Sequence, residues 1–112
     1  MTVPSNRRKY PRLSQSFQAR ARLLHRSAEL SGVTHNLSQS GAFIISPSWS
    51  DFKVDDETEI MFFLPPAFTG QNDTLILKGL GTVRRFDGDR WGIAIEFPKE
   101  LKTFEVYRAD EG

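Results

Sequence analysis

Strict alternation between apolar and polar side chains near the start of the chain constrains the fold more than any other feature. The apolar positions are Phe17, Ala19, Ala21 and Leu23, and the polar positions between them are Gln18, Arg20 and Arg22. A period of two residues is typical of a strand that buries one face and exposes the other. We therefore predict a strand over residues 17–23, in a fold where a sheet covers a core.

Five more segments have the composition of strands and are separated by turn residues. We predict these strands over 30–37, 42–45, 57–64, 74–86 and 91–97. Pro65-Pro66 ends one of them, and Asp87-Gly88-Asp89 is typical of a hairpin turn before the last. Because glycine weakens a strand, we expect a bulge near Gly32 and a bend at Gly79 or Gly81.

The end of the chain is predicted to complete the core. The side chains expected to share one face of the last strand are Trp91, Ile93, Ile95 and Phe97. Pro98 suits the first position of a short C-terminal helix, on which Leu101 and Phe104 share a face. Phe68 lies in a polar connection over 67–73, where we expect it to be exposed and to offer a contact to a partner.

Six short strands and one terminal helix favour a small, all-β, six-stranded antiparallel barrel. A closed barrel also removes the exposed edges that an open sheet of this size would leave. The chain has 112 residues, which is enough for one modest core and too few for two. We therefore predict a single barrel domain over residues 16–112.

Charge is distributed unevenly along the chain. Residues 1–28 contain seven Lys and Arg and no Asp or Glu, whereas residues 29–112 contain eight basic and fourteen acidic residues. Pro11 disfavours helix at Tyr10, so the first 15 residues are predicted to form a flexible basic arm, extended or turned. The arm taken alone is typical of a solvated basic terminus.

Several classes of protein are disfavoured by what the sequence contains. It has no cysteine, which fits a reducing compartment, and no apolar run of the length that spans a membrane. His25 and His35 each lack neighbouring ligands, so we expect no metal site and no cofactor. No nucleophile has an orienting acid and base, so we do not expect an enzyme. These features together predict a soluble, cytoplasmic protein.

Two polar segments are predicted to meet on one rim of the barrel. In an antiparallel hairpin, the start of the first strand lies opposite the end of the second. The arm with Arg8 and Arg12 precedes the first strand, and the turn from Asn36 to Gly41 follows the second. Arginine forks match guanine O6 and N7 or two phosphate oxygens. Asn36 and Ser38 offer polar contacts, and Gly41 permits a positive φ and a close approach to a ligand.

These two segments resemble the signature motifs of the PilZ domain family, RxxxR and (D/N)xSxxG. The matching residues are Arg8-Lys9-Tyr10-Pro11-Arg12 and Asn36-Leu37-Ser38-Gln39-Ser40-Gly41. Residues 54–65 and 91–97 are similar to later parts of the family, although Asp55-Asp56 stands where the family often has Gly. The resemblance implies a bacterial receptor for the second messenger cyclic di-GMP, built on a six-stranded antiparallel barrel.

The same resemblance implies a set of ligand contacts and a mode of action. The residues that it assigns to cyclic di-GMP binding are Arg7, Arg8, Arg12, Asn36, Ser38 and Gly41. Binding would order the basic arm and change a surface that another protein recognises, without any cofactor or catalytic step. Two alternatives stay open at this point. One is a nucleic-acid-binding barrel that uses a basic arm, and the other is a PilZ-like adaptor that docks proteins and binds no ligand.

Overall fold

The computed structural model describes residues 16–47, 51–70 and 72–108. Most of them lie in seven strands. The strands are β1 (Gln18–Leu23), β2 (Glu29–Leu37), β3 (Gly41–Ile45), β4 (Glu57–Leu64), β5 (Leu75–Asp87), β6 (Gly92–Glu96) and β7 (Glu105–Arg108). A single helical turn, α1 (Pro66–Thr69), follows β4, and 3-10 turns cover Gly88–Arg90 and Leu101–Thr103. The basic arm, residues 1–15, lies outside the described residues.

Six of the strands close into an antiparallel barrel. The order around the barrel is β1, β2, β3, β6, β5 and β4, and the β1–β4 ladder completes the circle. The hairpin of β1 and β2 pairs Gln18 with Val33 and Arg22 with Glu29. The predicted six-stranded barrel is therefore confirmed.

Strand β5 is longer than its neighbours and pairs with three of them. Along one edge, Leu75 to Thr82 pairs with β4. The other edge is divided, because its first four residues pair with β7 and the part from Thr82 onward pairs with β6. The seventh strand was not predicted from the sequence. It lies outside the closed barrel, and all four of its residues are exposed.

The barrel interior is apolar, and each buried polar side chain in it has a partner. Thr34 Oγ1 accepts a hydrogen bond of 2.9 Å from the Phe17 amide. Thr58 Oγ1 donates one of 3.0 Å to the Gly81 carbonyl oxygen. Since an unpaired buried hydroxyl would cost about 1–3 kcal/mol, these bonds allow threonine inside the barrel and fix the registers beside it.

Two features of the C-terminal part differ from the sequence prediction. The predicted C-terminal helix is only the 3-10 turn Leu101–Thr103, after which the chain becomes β7, although Leu101 and Phe104 are both buried as expected. Trp91 does not share the buried face of β6, because it adopts a left-handed conformation (φ 55°) at the end of the preceding turn. Its side chain is 57% exposed, more than that of Phe68.

A second left-handed residue lies where the sequence departs from the family pattern. Asp55 has φ 76°, a conformation that glycine adopts without steric cost. Its carboxylate lies 3.4 Å from the Arg84 guanidinium on the outside of the barrel. The turn therefore needs an αL residue, and aspartate is among the non-glycine residues that tolerate this conformation.

Glu59 on the outer face of β4 forms ion pairs with residues of both neighbouring strands. Its Oε1 lies 2.6 Å from Arg22 Nη2 of β1, and its Oε2 lies 3.5 Å from Lys78 Nζ of β5. The hydrogen bond from Arg22 is the largest cause of a lowered pKa at the Glu59 carboxyl group.

This lowered pKa predicts a loss of stability in acid. A carboxyl group whose pKa is lower in the folded state stabilises the fold above its unfolded pKa, about 4.3, and loses that contribution as the pH falls through the folded value. We expect the free energy of unfolding, measured with urea between pH 7 and pH 2.5, to fall less steeply below about pH 4 in Glu59→Gln than in the wild type. Equal slopes would show that Glu59 does not contribute.

Candidate functional site

Strand β2 contains an extra residue immediately before the predicted site. Thr34 pairs with Ile44 and Asn36 pairs with Phe43, so His35 has no opposite residue on β3. The bulge therefore lies at His35, and not at Gly32 as predicted. It also reverses the alternation, because Leu37 now enters the core and Asn36 lies outside, partly exposed. In a regular strand that buries Thr34, Asn36 would face the interior.

The residues after β2 form a tight turn held by serine. Ser38 N donates to the Gly41 carbonyl oxygen at 2.9 Å, which closes the turn. The Ser38 hydroxyl accepts a bond of 3.3 Å from Ser40 N and contacts the Gly41 carbonyl oxygen at 3.4 Å. A serine hydroxyl bonded to backbone groups two or three residues onward is typical of such turns. Ser38 thus has a structural role in the turn, and its contact with a ligand stays a prediction.

Gly41 starts β3 and packs against the backbone of β6. It pairs with Glu96, and a Cβ at position 41 would overlap the carbonyl oxygen of Ile95. Among the described glycines, positive φ occurs at Gly70 and not at Gly41. The expectation of a positive φ is therefore wrong, and the close approach that requires glycine here is between two strands.

Gln39 at the tip of the turn connects it to the C-terminal segment. Its carbonyl oxygen accepts a bond of 2.9 Å from Leu101 N, and its side-chain Oε1 accepts one of 2.8 Å from Lys102 N. The next carbonyl oxygen, that of Ser40, accepts one of 2.9 Å from Phe97 N. These three bonds fasten the turn to the residues that lead into β7.

The side chain of Gln39 can be tested separately from its backbone. Gln39→Ala removes the acceptor of the Lys102 amide on an exposed surface, so we expect a loss of about 1 kcal/mol in the free energy of unfolding. We also expect faster hydrogen exchange at the Lys102 amide than in the wild type, measured by NMR. A matched change, Ser40→Ala, removes only contacts within the turn and should leave exchange at Lys102 unaltered.

The first described residues of the chain pair with β2 close to this turn. Phe17 N bonds to Thr34 Oγ1, and Thr34 N donates to the Phe17 carbonyl oxygen at 2.8 Å. Thr34 lies only two residues before Asn36. We call this end of the barrel, which carries residues 38–40, the turn end. Phe68 of α1 packs edge-on against Phe17 there, at 4.9 Å between ring centroids.

The predicted site residues fall into two groups. Asn36, Ser38 and Gly41 come together at the turn end, whereas Arg7, Arg8 and Arg12 lie outside the described residues, and their role stays a prediction. Within the part of the chain that the structure describes, the partly exposed Asn36 side chain has no hydrogen-bond partner.

The described arginines of the barrel surface mostly face carboxylates. The pairs are Arg20–Glu29, Arg22–Glu59, Arg26–Asp56 and Arg84–Glu96. Such pairing leaves little positive field on the outside of these strands. Within the described ranges, no group of three His, Cys, Asp or Glu side chains could together hold a metal ion. No helix among the described residues is long and apolar enough to cross a membrane.

The family model of the PilZ domain matches residues 6–104, which is nearly the whole chain. The chain belongs to the PilZ domain family. The match includes both motifs, from before Arg8 to beyond Gly41. PilZ domains are binding and adaptor domains, and both roles are compatible with a site built from a turn and an adjoining peptide.

A solved structure provides a comparison of folds. The PilZ chain superposes with a TM-score of 0.64 on the structure of the Bacillus subtilis inhibitor of motility, MotI/DgrA, at 18% sequence identity. The alignment covers 84% of this chain and 44% of that one, so the PilZ chain spans less than half of the longer protein. At this identity, the likeness shows a shared fold. No curated protein sequence matches the PilZ chain.

Two residues of the PilZ turn end were not predicted from the sequence. The importance of Gln39 depends on Leu101 and Lys102, which are more than 60 residues away and give no local signal. His35 was expected to be a lone histidine without a metal-binding role, and the bulge turns Asn36 outward beside it. A break in the alternation of side chains between Thr34 and Leu37 could have indicated the bulge at His35.

Proposed function

We propose that this chain is a non-enzymatic receptor for cyclic di-GMP, whose binding orders the basic arm and alters a surface that a partner protein recognises. The observation that carries the proposal is the pairing of Phe17 with Thr34. Arg8 and Arg12 precede Phe17 in the sequence, so this pairing supports an approach of the basic arm to the turn end, where the Asn36 side chain has no hydrogen-bond partner among the described residues.

Covalent geometry limits how far the predicted arginines can be from the turn. Arg12 lies four positions before Ser16, and each position spans at most about 3.6 Å, so the two Cα atoms lie within about 14 Å of each other. This limit allows the Arg12 guanidinium to approach a cyclic dinucleotide that contacts Asn36. This covalent limit supports one site made of both motifs.

The chemistry of the two motifs suits a guanine dinucleotide. An arginine fork can donate two parallel bonds to guanine O6 and N7, at about 1–3 kcal/mol for each good pair. The Asn36 amide offers both a donor and an acceptor to a base edge. Base stacking adds a similar amount, so a micromolar dissociation constant, which needs about −8 kcal/mol, is attainable.

A titration tests the proposal directly. Calorimetry of the purified protein with cyclic di-GMP should give saturable binding, and GTP or a cyclic adenine dinucleotide should bind much more weakly. Asn36→Ala should weaken binding of cyclic di-GMP about tenfold without lowering the melting temperature, because its amide bonds to no other described residue. The matched control is Asn72→Ala, an exposed asparagine in the connection before β5.

The outcomes distinguish the competing functions. Absence of cyclic di-GMP binding would reject the proposal and favour an adaptor that only docks proteins. A nucleic-acid binder would bind single strands with an affinity that falls steeply with salt, because each neutralised phosphate releases counterions. The paired arginines on the barrel surface disfavour this second possibility.

A further inference from the structure

The bulge in β2 places two consecutive side chains on the outside of the barrel. Thr34 and Leu37 are buried, while His35 between them is exposed and Asn36 is partly exposed. A regular strand would turn one of the middle pair inward. The extra residue therefore presents an imidazole ring immediately beside the amide that is proposed to contact guanine.

We propose that His35 is a ligand contact of this chain, and that its ring stacks on the face of the purine base whose edge Asn36 contacts. This inference rests on the proposed function, and it adds a residue that neither family motif contains. It also assigns a purpose to the bulge, because bulges reorient side chains next to binding sites.

The spacing of the backbone at positions 35 and 36 is compatible with stacking of the His35 ring on the base. Consecutive Cα atoms are about 3.8 Å apart, and aromatic carbons in contact are separated by about 3.5–4.0 Å. Two neighbouring side chains that both point outward start at about this separation, which allows the ring of one to lie against a base whose edge contacts the other. A planar ring at position 35 then covers one face of that base.

The imidazole has an aromatic neighbour on the adjacent strand. Its centroid lies 6.4 Å from that of Phe43 on β3, at an interplanar angle of 76°. Phe43 is itself only 7% exposed, so it gives the imidazole a fixed neighbour. A side chain that is ordered in the free protein loses less conformational entropy on binding.

The test separates a planar ring from a polar group at position 35. We expect His35→Ala and His35→Gln to weaken cyclic di-GMP binding about tenfold in calorimetry, and His35→Phe to remain within about threefold of the wild type. Base stacking tolerates a change of ring, whereas glutamine keeps only the polarity. The matched control is His25→Ala, an exposed histidine in the β1–β2 turn, whose Nε2 lies 3.2 Å from Glu57 Oε1. It should bind like the wild type.

Failure of this inference is distinguishable from failure of the proposed function. If the wild type does not bind cyclic di-GMP, the proposed function fails and the role of His35 fails with it. If Asn36→Ala weakens binding and His35→Ala does not, only the role of His35 is overturned. Full affinity in His35→Gln with a loss in His35→Phe would also overturn stacking. Position 35 is exposed, so we expect every variant to fold. Melting curves of all variants check that binding is compared between folded proteins.

Discussion

Arg8→Ala or Arg12→Ala is expected to weaken cyclic di-GMP binding by about 2–4 kcal/mol, which is at least about thirtyfold in the dissociation constant. In the proposed site, each change removes a two-donor contact and leaves part of the ligand without a partner. Arg8→Lys should recover little, because an ammonium group keeps the charge but lacks the planar fork. Calorimetry at constant salt measures the effect.

The matched control for these variants is Arg85→Ala, an exposed arginine of β5. It changes the net charge of the protein by the same amount and lies in the barrel body. If Arg85→Ala weakened binding as much as Arg8→Ala, the effect would come from net charge alone. Near-native affinity in both Arg8→Ala and Arg12→Ala would remove the arm from the binding site.

Gly41→Val is expected to lower the free energy of unfolding by about 3 kcal/mol. A Cβ at this position overlaps the carbonyl oxygen of Ile95, which belongs to the backbone of β6 and cannot turn away as a side chain can. Overpacking commonly costs about 1–3 kcal/mol, and a backbone neighbour places this substitution at the upper end. Urea unfolding followed by circular dichroism measures the change.

Ser40→Val is the control for Gly41→Val, since Ser40 is the exposed residue before it in the same turn. It should change stability by less than about 0.5 kcal/mol, as surface substitutions usually do. A Gly41→Val protein that is as stable as the wild type but does not bind would assign this glycine to ligand approach. The expected result assigns it to the packing of β3 against β6.

The fold was predictable because each barrel strand has strand-like composition and is bounded by turn residues in its own part of the sequence. The predicted strand over 57–64 agrees with β4 at both ends, and the predicted strand over 74–86 is displaced from β5 by one residue. Failures occurred where tertiary contacts decide the structure. Residues 105–108 have no alternation between buried and exposed positions, and they become β7 because Lys78 and its neighbours on β5 offer an unpaired edge.

The site was predictable only to the extent that hairpin geometry determines it. Antiparallel pairing of β1 with β2 places Phe17 near Asn36, whatever the side chains between them. The outward direction of Asn36 was not predictable, because it depends on the extra residue at His35 and not on local propensity. The need for glycine at position 41 was predicted for the wrong reason, since backbone contact with Ile95 is a tertiary feature.

One edge of β5 pairs with β6 along one part and with β7 along the other. The β6 part belongs to the closed barrel, whereas the β7 part lies outside it, so we expect the two parts to differ in local stability. β7 contributes no buried side chain, and the six barrel strands pair with one another in a closed circle that does not include it. Local opening free energies rise with burial, so the amides of β7 should fray far more readily than those of Phe62 or Val83 inside the barrel. Deletion of the chain from Glu105 onward, which removes β7, is therefore expected to leave the melting cooperativity of the barrel almost unaltered.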